Sequence, residues 1–151
     1  MELTQTVFIP VGPQLVWEAL NDPEILKAAL PGCEHFVEIA EHTYEMSVTT
    51  RIGPVKATFK GQIHLIDLDP PHRYTIVGEG KGGVAGFAKG QASVALSEAE
   101  EHGILGTALS YDVTATVGGK IAQLGGRLIQ GAANKLAGEF FEQFSASLQA
   151  S

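Results

Sequence analysis

Few side chains in this sequence are equipped for chemistry, and their spacing argues against most of what they can do. Gly78, Gly80 and Gly83 fit the G-x-G-x-x-G pattern that brings a backbone close to a pyrophosphate, but that reading needs a following helix within a βαβ unit. Strand-like sequence lies on both sides instead, so Gly82-Gly83 reads as a hairpin turn or a mobile loop. The five histidines, His35, His42, His64, His72 and His102, never stand three or four residues apart. No metal-ligand cluster is expected. Cys33, directly after Pro31-Gly32, reads as a small buried residue, with a Cys-His-Asp triad as the alternative. Asp67 and Asp69 flank Pro70-Pro71 and read as solvated turn residues.

Hydroxyl groups remain. A phenol on an apolar face needs a hydrogen-bond partner and can offer its hydroxyl to a ligand carbonyl. Tyr111 is the first candidate for such a contact, and Tyr44 and Thr50 are the next. The competing reading of Tyr111 is a hydroxyl satisfied by backbone or water.

The elements that position these groups follow from pattern. Glu2 to Ile9 reads as a strand ended by Pro10-Val11-Gly12-Pro13, with Pro13 opening a short helix that contains Val16, Trp17 and Leu20. Asp22 is a good N-cap ahead of Pro23, and a second short helix, Glu24 to Ala29, must stop before Pro31-Gly32. From Cys33 to Val117 the period becomes two, broken by turns at 40–42, Gly53-Pro54, Asp69-Pro70-Pro71, Gly82-Gly83 and 98–103. Six strands in series with short connections form an antiparallel meander.

Strand parity separates the faces. Val55, Ala57, Phe59, Gly61, Ile63 and Leu65 point one way, and Lys56, Thr58, Lys60, Gln62 and His64 the other. Tyr44, Met46, Val48 and Thr50, then Tyr74 and Ile76, then Ala88 through Leu96 and Leu109 through Val117 at alternate positions, extend the inner set. Almost nothing ionisable faces inward. A last helix, Gly119 to about Leu148, covers that face and tolerates Gly125, Gly126, Gly131 and Gly138. At about 0.5–1 kcal/mol each relative to alanine, four interior glycines lose roughly 2–4 kcal/mol. They either let the helix approach Gly90 and Ala92 closely or leave a space beneath it.

Those elements in that order resemble the helix-grip fold of the START-like (SRPBCC) superfamily: α+β, an antiparallel seven-stranded sheet wrapped around a long C-terminal helix, with two short helices after the first strand. Four segments sharpen the likeness: Asp22-Pro23 through Cys33, Gly53-Pro54-Val55-Lys56 with Phe59-Lys60-Gly61, Gly80-Lys81-Gly82 through Ala88, and Tyr111 through Phe144. Over nearly its whole length, 1–151 read as a single domain, the chain resembles the carbon monoxide dehydrogenase CoxG family. The resemblance implies a cavity between sheet and helix, with Leu30, Val48, Phe59, Ile63, Ile76 and Tyr111 and with Val113, Leu128, Ala132, Leu136 and Phe140 as its candidate lining. Each of these also fits a plain core position. Gly80, Gly82, Gly83 and Gly86 are candidates for a gate over the mouth, with turn geometry as the competing account. The family implies no cofactor and no catalytic residue. It implies partnership with a molybdenum-containing oxidoreductase through enzyme maturation, membrane recruitment or quinone carriage. A membrane-contacting tail found in some members is not expected, since the chain ends at Ser151 soon after the helix.

Composition narrows the rest. A formal net charge of −7, with ten Lys and Arg dispersed along 151 residues, argues against nucleic acid as a partner. One cysteine and no signal-peptide pattern make the cytoplasm the default address, with peripheral contact at the inner face of the membrane compatible. Lys120, Arg127, Lys135, Glu139 and Glu142 interrupt the only long apolar candidate for a span. Three functions fit. The first is non-catalytic binding of a hydrophobic small molecule, quinone or lipid-like. The second is a cyclase, dehydratase or aromatase, which needs an inward acid or base that the parity map lacks. The third is an assembly or recruitment module, which needs an exposed apolar patch.

Overall fold

The computed structural model describes residues 1–149; Ala150 and Ser151, which end the 1–151 domain expected above, lie outside the described residues. The chain runs β1 (Glu2–Ile9), α1 (Pro13–Leu20), α2 (Pro23–Ala29), β2 (Cys33–Ala40), β3 (Thr43–Ile52), β4 (Val55–Asp69), β5 (Arg73–Lys81), a 3₁₀ turn (Gly83–Ala85), β6 (Phe87–Glu101), β7 (Ile104–Gly118), a second 3₁₀ turn (Lys120–Leu124) and α3 (Gly126–Gln149). All strand pairs are antiparallel, in the order β1-β7-β6-β5-β4-β3-β2. The meander is interrupted once, where α1 and α2 carry the chain from β1 at one edge to β2 at the other. This is the helix-grip arrangement.

Local chemistry sets these boundaries. The Asp22 carboxylate accepts the Glu24 N–H at 3.0 Å, and Pro23 occupies the first turn where no N–H is needed. Leu30, before Pro31, leaves helical space at ψ 114°, as a pre-proline residue must. Gly32 then turns at φ +75°; a Cβ there would stand 2.0 Å from the Thr49 carbonyl oxygen, so glycine lets β2 begin against β3.

The last helix is shorter than expected. It begins at Gly126, because Gly119 (φ +81°) and Gly125 (φ +92°) lie in the left-handed region and confine Lys120–Leu124 to a separate 3₁₀ turn. Gly125 and Gly126 therefore end and start elements, and only Gly131 and Gly138 sit inside α3.

The packed core lies toward one end of the sheet. Phe144 is fully buried with Val16, Ile9 and Leu109 nearly so, and the Thr107 hydroxyl, also buried, donates to the Val11 carbonyl at 2.6 Å. Phe140, Phe141 and Phe144 form a run of ring contacts along the second half of α3, extended by Tyr111 stacked on Phe141. The first half of α3 has no buried residue, and a space opens beneath it.

Candidate functional site

Two voids adjoin between sheet and helix. The larger, about 340 Å³, lies under the first half of α3, bounded by Ile129, Ala132, Ala133 and Leu136 above, by Val48, Thr50, Ile52 and Phe59 from β3 and β4, and by Ala88, Ala115 and Val117 from β6 and β7. The smaller, about 200 Å³, runs deeper among Leu20, Phe36, Tyr44, Tyr74, Phe140 and Phe141. Leu30, Met46 and Ile63 border both and form the partition. Larger hollows occur on the outer face, one of about 820 Å³ among Lys60, Gln62, His64, Lys81 and Lys89 and one of about 850 Å³ among Glu34, His35, Glu45, Thr58 and Lys60. Those are lined largely by charged and polar residues of the outer face, whereas the inner pair is walled by apolar side chains, the setting in which ligands are bound by burial.

The bare positions that make this room are on the sheet. Gly78 and Gly80 lie along the wall of the larger chamber between Ile63 and Phe59: a Cβ at Gly78 would stand 2.7 Å from the Ile63 Cγ2, and one at Gly80 3.6 Å from the Phe59 Cβ. Alanines fill the facing positions on β6, β7 and α3. The glycines of the helix do something else. A Cβ at Gly125, Gly126, Gly131 or Gly138 would meet nothing within 4 Å, and all four are exposed. Neither a close approach to Gly90 and Ala92 nor space beneath the helix explains them; they face solvent.

Of the candidate lining, Val48, Phe59, Ala132 and Leu136 border the larger chamber, Ile76 and Phe140 the smaller, and Leu30 and Ile63 both. Tyr111, Val113 and Leu128 border neither. Val113 lies opposite Leu3 of β1 and packs against the core, and Leu128 is 47% exposed at the start of α3. Tyr111 faces inward as parity requires, but its hydroxyl donates to the Gln5 side-chain oxygen at 2.6 Å and its ring is covered by Phe141. Thr50 supplies the side-chain hydroxyl on the larger chamber's wall, and Tyr44 lines the smaller. Burial pushes the Tyr44 phenol up, with a smaller push from Glu38. Burial drives Tyr74 further in the same direction, and Tyr44 adds to it.

Of the candidate gate glycines, only Gly80 borders the larger chamber. The Gly82–Gly86 turn is closed by the Gly82 N–H donating to the Gly86 carbonyl at 2.7 Å. Gly86 is wedged against the β7 end, where a Cβ would lie 2.0 Å from the Gly118 carbonyl oxygen. In this conformation the turn is seated against the end of β7.

Ionisable chemistry is sparse around both voids. Glu79 borders the larger one between Gly78 and Gly80, but its carboxylate pairs with Lys81 at 3.5 Å. No Asp or His lines either void, and no group of three or more His, Cys, Asp or Glu able to hold a metal ion occurs among the described residues. Cys33 is half-buried and donates its thiol to the His35 carbonyl at 3.3 Å; burial raises its pKa, which leaves it a poor nucleophile. No helix among the described residues is long and apolar enough to cross a membrane.

Sequence reasoning left Met46, Ile52, Ala115, Val117, Ile121 and Ile129 out of the lining. The parity pattern already put Met46, Ala115 and Val117 on the inner face, and their small or flexible side chains were the available signal of space.

The family of the carbon monoxide dehydrogenase CoxG protein matches residues 6–149. No curated protein matches the chain significantly. Among solved structures, a conserved protein from Geobacillus kaustophilus superposes with a TM-score of 0.91 at 28% identity, over 100% of this chain and 97% of that one. The Thermus thermophilus protein TTHA0849 gives a TM-score of 0.71 at 17% identity, over 99% and 98%. The Zhui aromatase/cyclase of Streptomyces sp. R1128 gives 0.61 at 13% identity, over 99% and 93%. The last two likenesses speak of fold alone.

Proposed function

The chain belongs to the carbon monoxide dehydrogenase CoxG family, and from that premise we propose that it binds a hydrophobic small molecule, quinone or lipid-like, as a single non-catalytic domain serving a membrane-linked molybdenum-type oxidoreductase such as carbon monoxide dehydrogenase. The observation that carries this reading is the apolar chamber of about 340 Å³ with Thr50 as a hydroxyl on its wall. Burial supplies affinity there: at about 0.8 kcal/mol per buried CH₂, one five-carbon isoprenoid unit contributes on the order of 3–4 kcal/mol. The partition of Leu30, Met46 and Ile63 suits an extended ligand, because Met46 is flexible enough to yield and join the two voids.

A cyclase or dehydratase on the same scaffold would need an acid or base within reach of its substrate. The walls offer hydroxyls and a paired Glu79, which favours binding over turnover. An assembly or membrane-recruitment role for the oxidoreductase is the second reading, favoured by the exposed apolar side chains near the chamber.

Native mass spectrometry of the purified chain, with organic extraction of what comes off, tests the proposal. A stoichiometric quinone or lipid, absent from Ala132→Trp, is the expected result. Protein that is empty, and stays empty after incubation with quinones and lipids, would move the function to recruitment.

A further inference from the structure

The outer face of the sheet carries a positive cluster that strand pairing alone does not call for. Lys60 on β4 and Lys81 on β5 stand directly opposite each other, and Lys89 on β6 lies diagonal to Lys81, directly opposite Glu79. Like charges facing each other across a strand pair cost stability. Lysines protect edge strands from stray pairing, but β4 and β5 lie in the interior of the seven-stranded order, where there is no edge to protect. Glu79 pairs with Lys81 at 3.5 Å, an exposed contact that adds little. Among the described residues Lys60 and Lys89 have no ion-pair partner.

All three lysines border the outer hollow of about 820 Å³. Gly61, Gly78 and Gly90 contribute backbone to its lining, and Gln62, Gln91, Thr114 and Thr116 add amide and hydroxyl groups. Three ammonium groups against the one carboxylate of Glu79 make the hollow positive in a chain of net charge −7. Other carboxylates on this face are engaged or stand aside. Glu45, opposite Gln62, pairs with His35 at 3.1 Å, and Glu34 accepts the Thr49 hydroxyl in the neighbouring hollow. Asp112 accepts the Thr4 hydroxyl at 2.8 Å, and Glu2 stands opposite Thr114 on β1, beyond β7 from Lys89.

We infer that this hollow binds a soluble phosphate ester of a hydroxyl-bearing compound, such as a sugar phosphate. The donor set selects that class. Lysine meets phosphate as a point charge, whereas a planar carboxylate is best met by the arginine fork, and among the described residues no arginine lines the hollow. The amides and hydroxyls beside the lysines suit the hydroxyl groups of the same molecule. No aromatic ring lines it among the described residues, so a nucleobase has no platform on which to stack. The exposed large apolar side chains all lie elsewhere, which leaves a lipid tail nothing to rest on. A bound phosphate turns the Lys60–Lys81 repulsion into two attractions. The hollow lies across β5 from the larger chamber, with Gly78 and Glu79 bordering both, and it needs no ligand in that chamber to act.

The test is calorimetric titration of the full chain with glucose 6-phosphate, inorganic phosphate, citrate and glucose. Glucose 6-phosphate should bind more tightly than inorganic phosphate or citrate, glucose should not bind, and added salt should weaken binding. Lys60→Gln and Lys81→Gln should each weaken it about tenfold, the loss of one charge-assisted hydrogen bond, and Arg127→Gln, on α3, should leave it unchanged. Thermal melts give a second reading. Without ligand, Lys60→Gln should melt at or above the parent, since it relieves the like-charge pair; glucose 6-phosphate should raise the parent's midpoint more than the variant's. A chain that binds neither phosphate compound, or whose binding survives both lysine substitutions, overturns the site. Citrate bound as tightly as glucose 6-phosphate overturns the assignment to phosphate, and inorganic phosphate bound as tightly overturns the part given to the amides and hydroxyls.

Discussion

The Tyr111 hydroxyl donates to the Gln5 side-chain oxygen at 2.6 Å, between residues directly opposite each other on β7 and β1. This bond ties the first strand to the last and occupies the phenol that sequence reasoning had offered to a ligand. Tyr111→Phe should therefore lower stability by about 0.5–1.5 kcal/mol, the net worth of one such bond, and leave ligand retention unchanged. Chemical denaturation and native mass spectrometry read the two effects separately. A stable variant that has lost its ligand would return Tyr111 to the chamber.

Gly131 and Gly138 have helical backbone and open space where a Cβ would stand. Nothing in the structure requires glycine at either position. Gly131→Ala and Gly138→Ala should each stabilise the chain by about 0.5–1 kcal/mol, by restricting the unfolded chain and favouring the helix. Thermal melts check the sign. Destabilisation at either position would mean that the helix glycine meets something, such as a docked partner or a closer sheet, that this conformation lacks.

What was legible in the sequence was whatever depends on period and punctuation. The alternation on β4 sorted Phe59 and Ile63 from Lys60 and Gln62, and Asp22-Pro23 placed the start of α2 to within one residue. Distances between elements were not legible. Whether Gly125 sits inside a helix depends on a positive φ that no apolar pattern reports. Whether Tyr111 points at a void or at Gln5 depends on β1 crossing to pair with β7, a contact 106 residues long. The chamber was attributed to bare positions on the helix, but its room comes from Gly78, Gly80 and the alanines facing them. Glycine in a strand and glycine on the solvent face of a helix look alike until the sheet is assembled.

Thr50 puts a hydroxyl on an otherwise apolar wall, so it should distinguish ligands by their polar atoms. Thr50→Val preserves shape and removes the donor. For a ligand that carries a carbonyl, affinity should fall about two- to tenfold, the equivalent of one hydrogen bond of about 0.5–1.5 kcal/mol. For a plain hydrocarbon of similar length it should hold or rise, since the valine wall has no group to desolvate. Titration of matched pairs of such compounds measures the difference. Equal losses for both would mean that position 50 acts through packing alone.

The Tyr74 phenol is enclosed by the core, with Trp17 edge-on at 5.2 Å, and burial holds it protonated well above the ordinary phenol value of about 10. In the unfolded chain the same group ionises near that value. Above it the unfolded state therefore binds fewer protons than the folded state, and stability falls as pH rises by up to about 1.4 kcal/mol per pH unit for this one group. The contribution is fully present below about pH 10 and is lost at more alkaline pH. Tyr44 and Tyr111 are shifted the same way by burial, so they add to the slope. Tyr74→Phe keeps the ring against Trp17 and removes the titration. The variant should match the parent near neutral pH and lose less stability between about pH 9 and 11, as read from urea midpoints across that range. Identical losses in parent and variant would mean that Tyr74 ionises in the folded chain, through water reaching its hydroxyl from the smaller chamber.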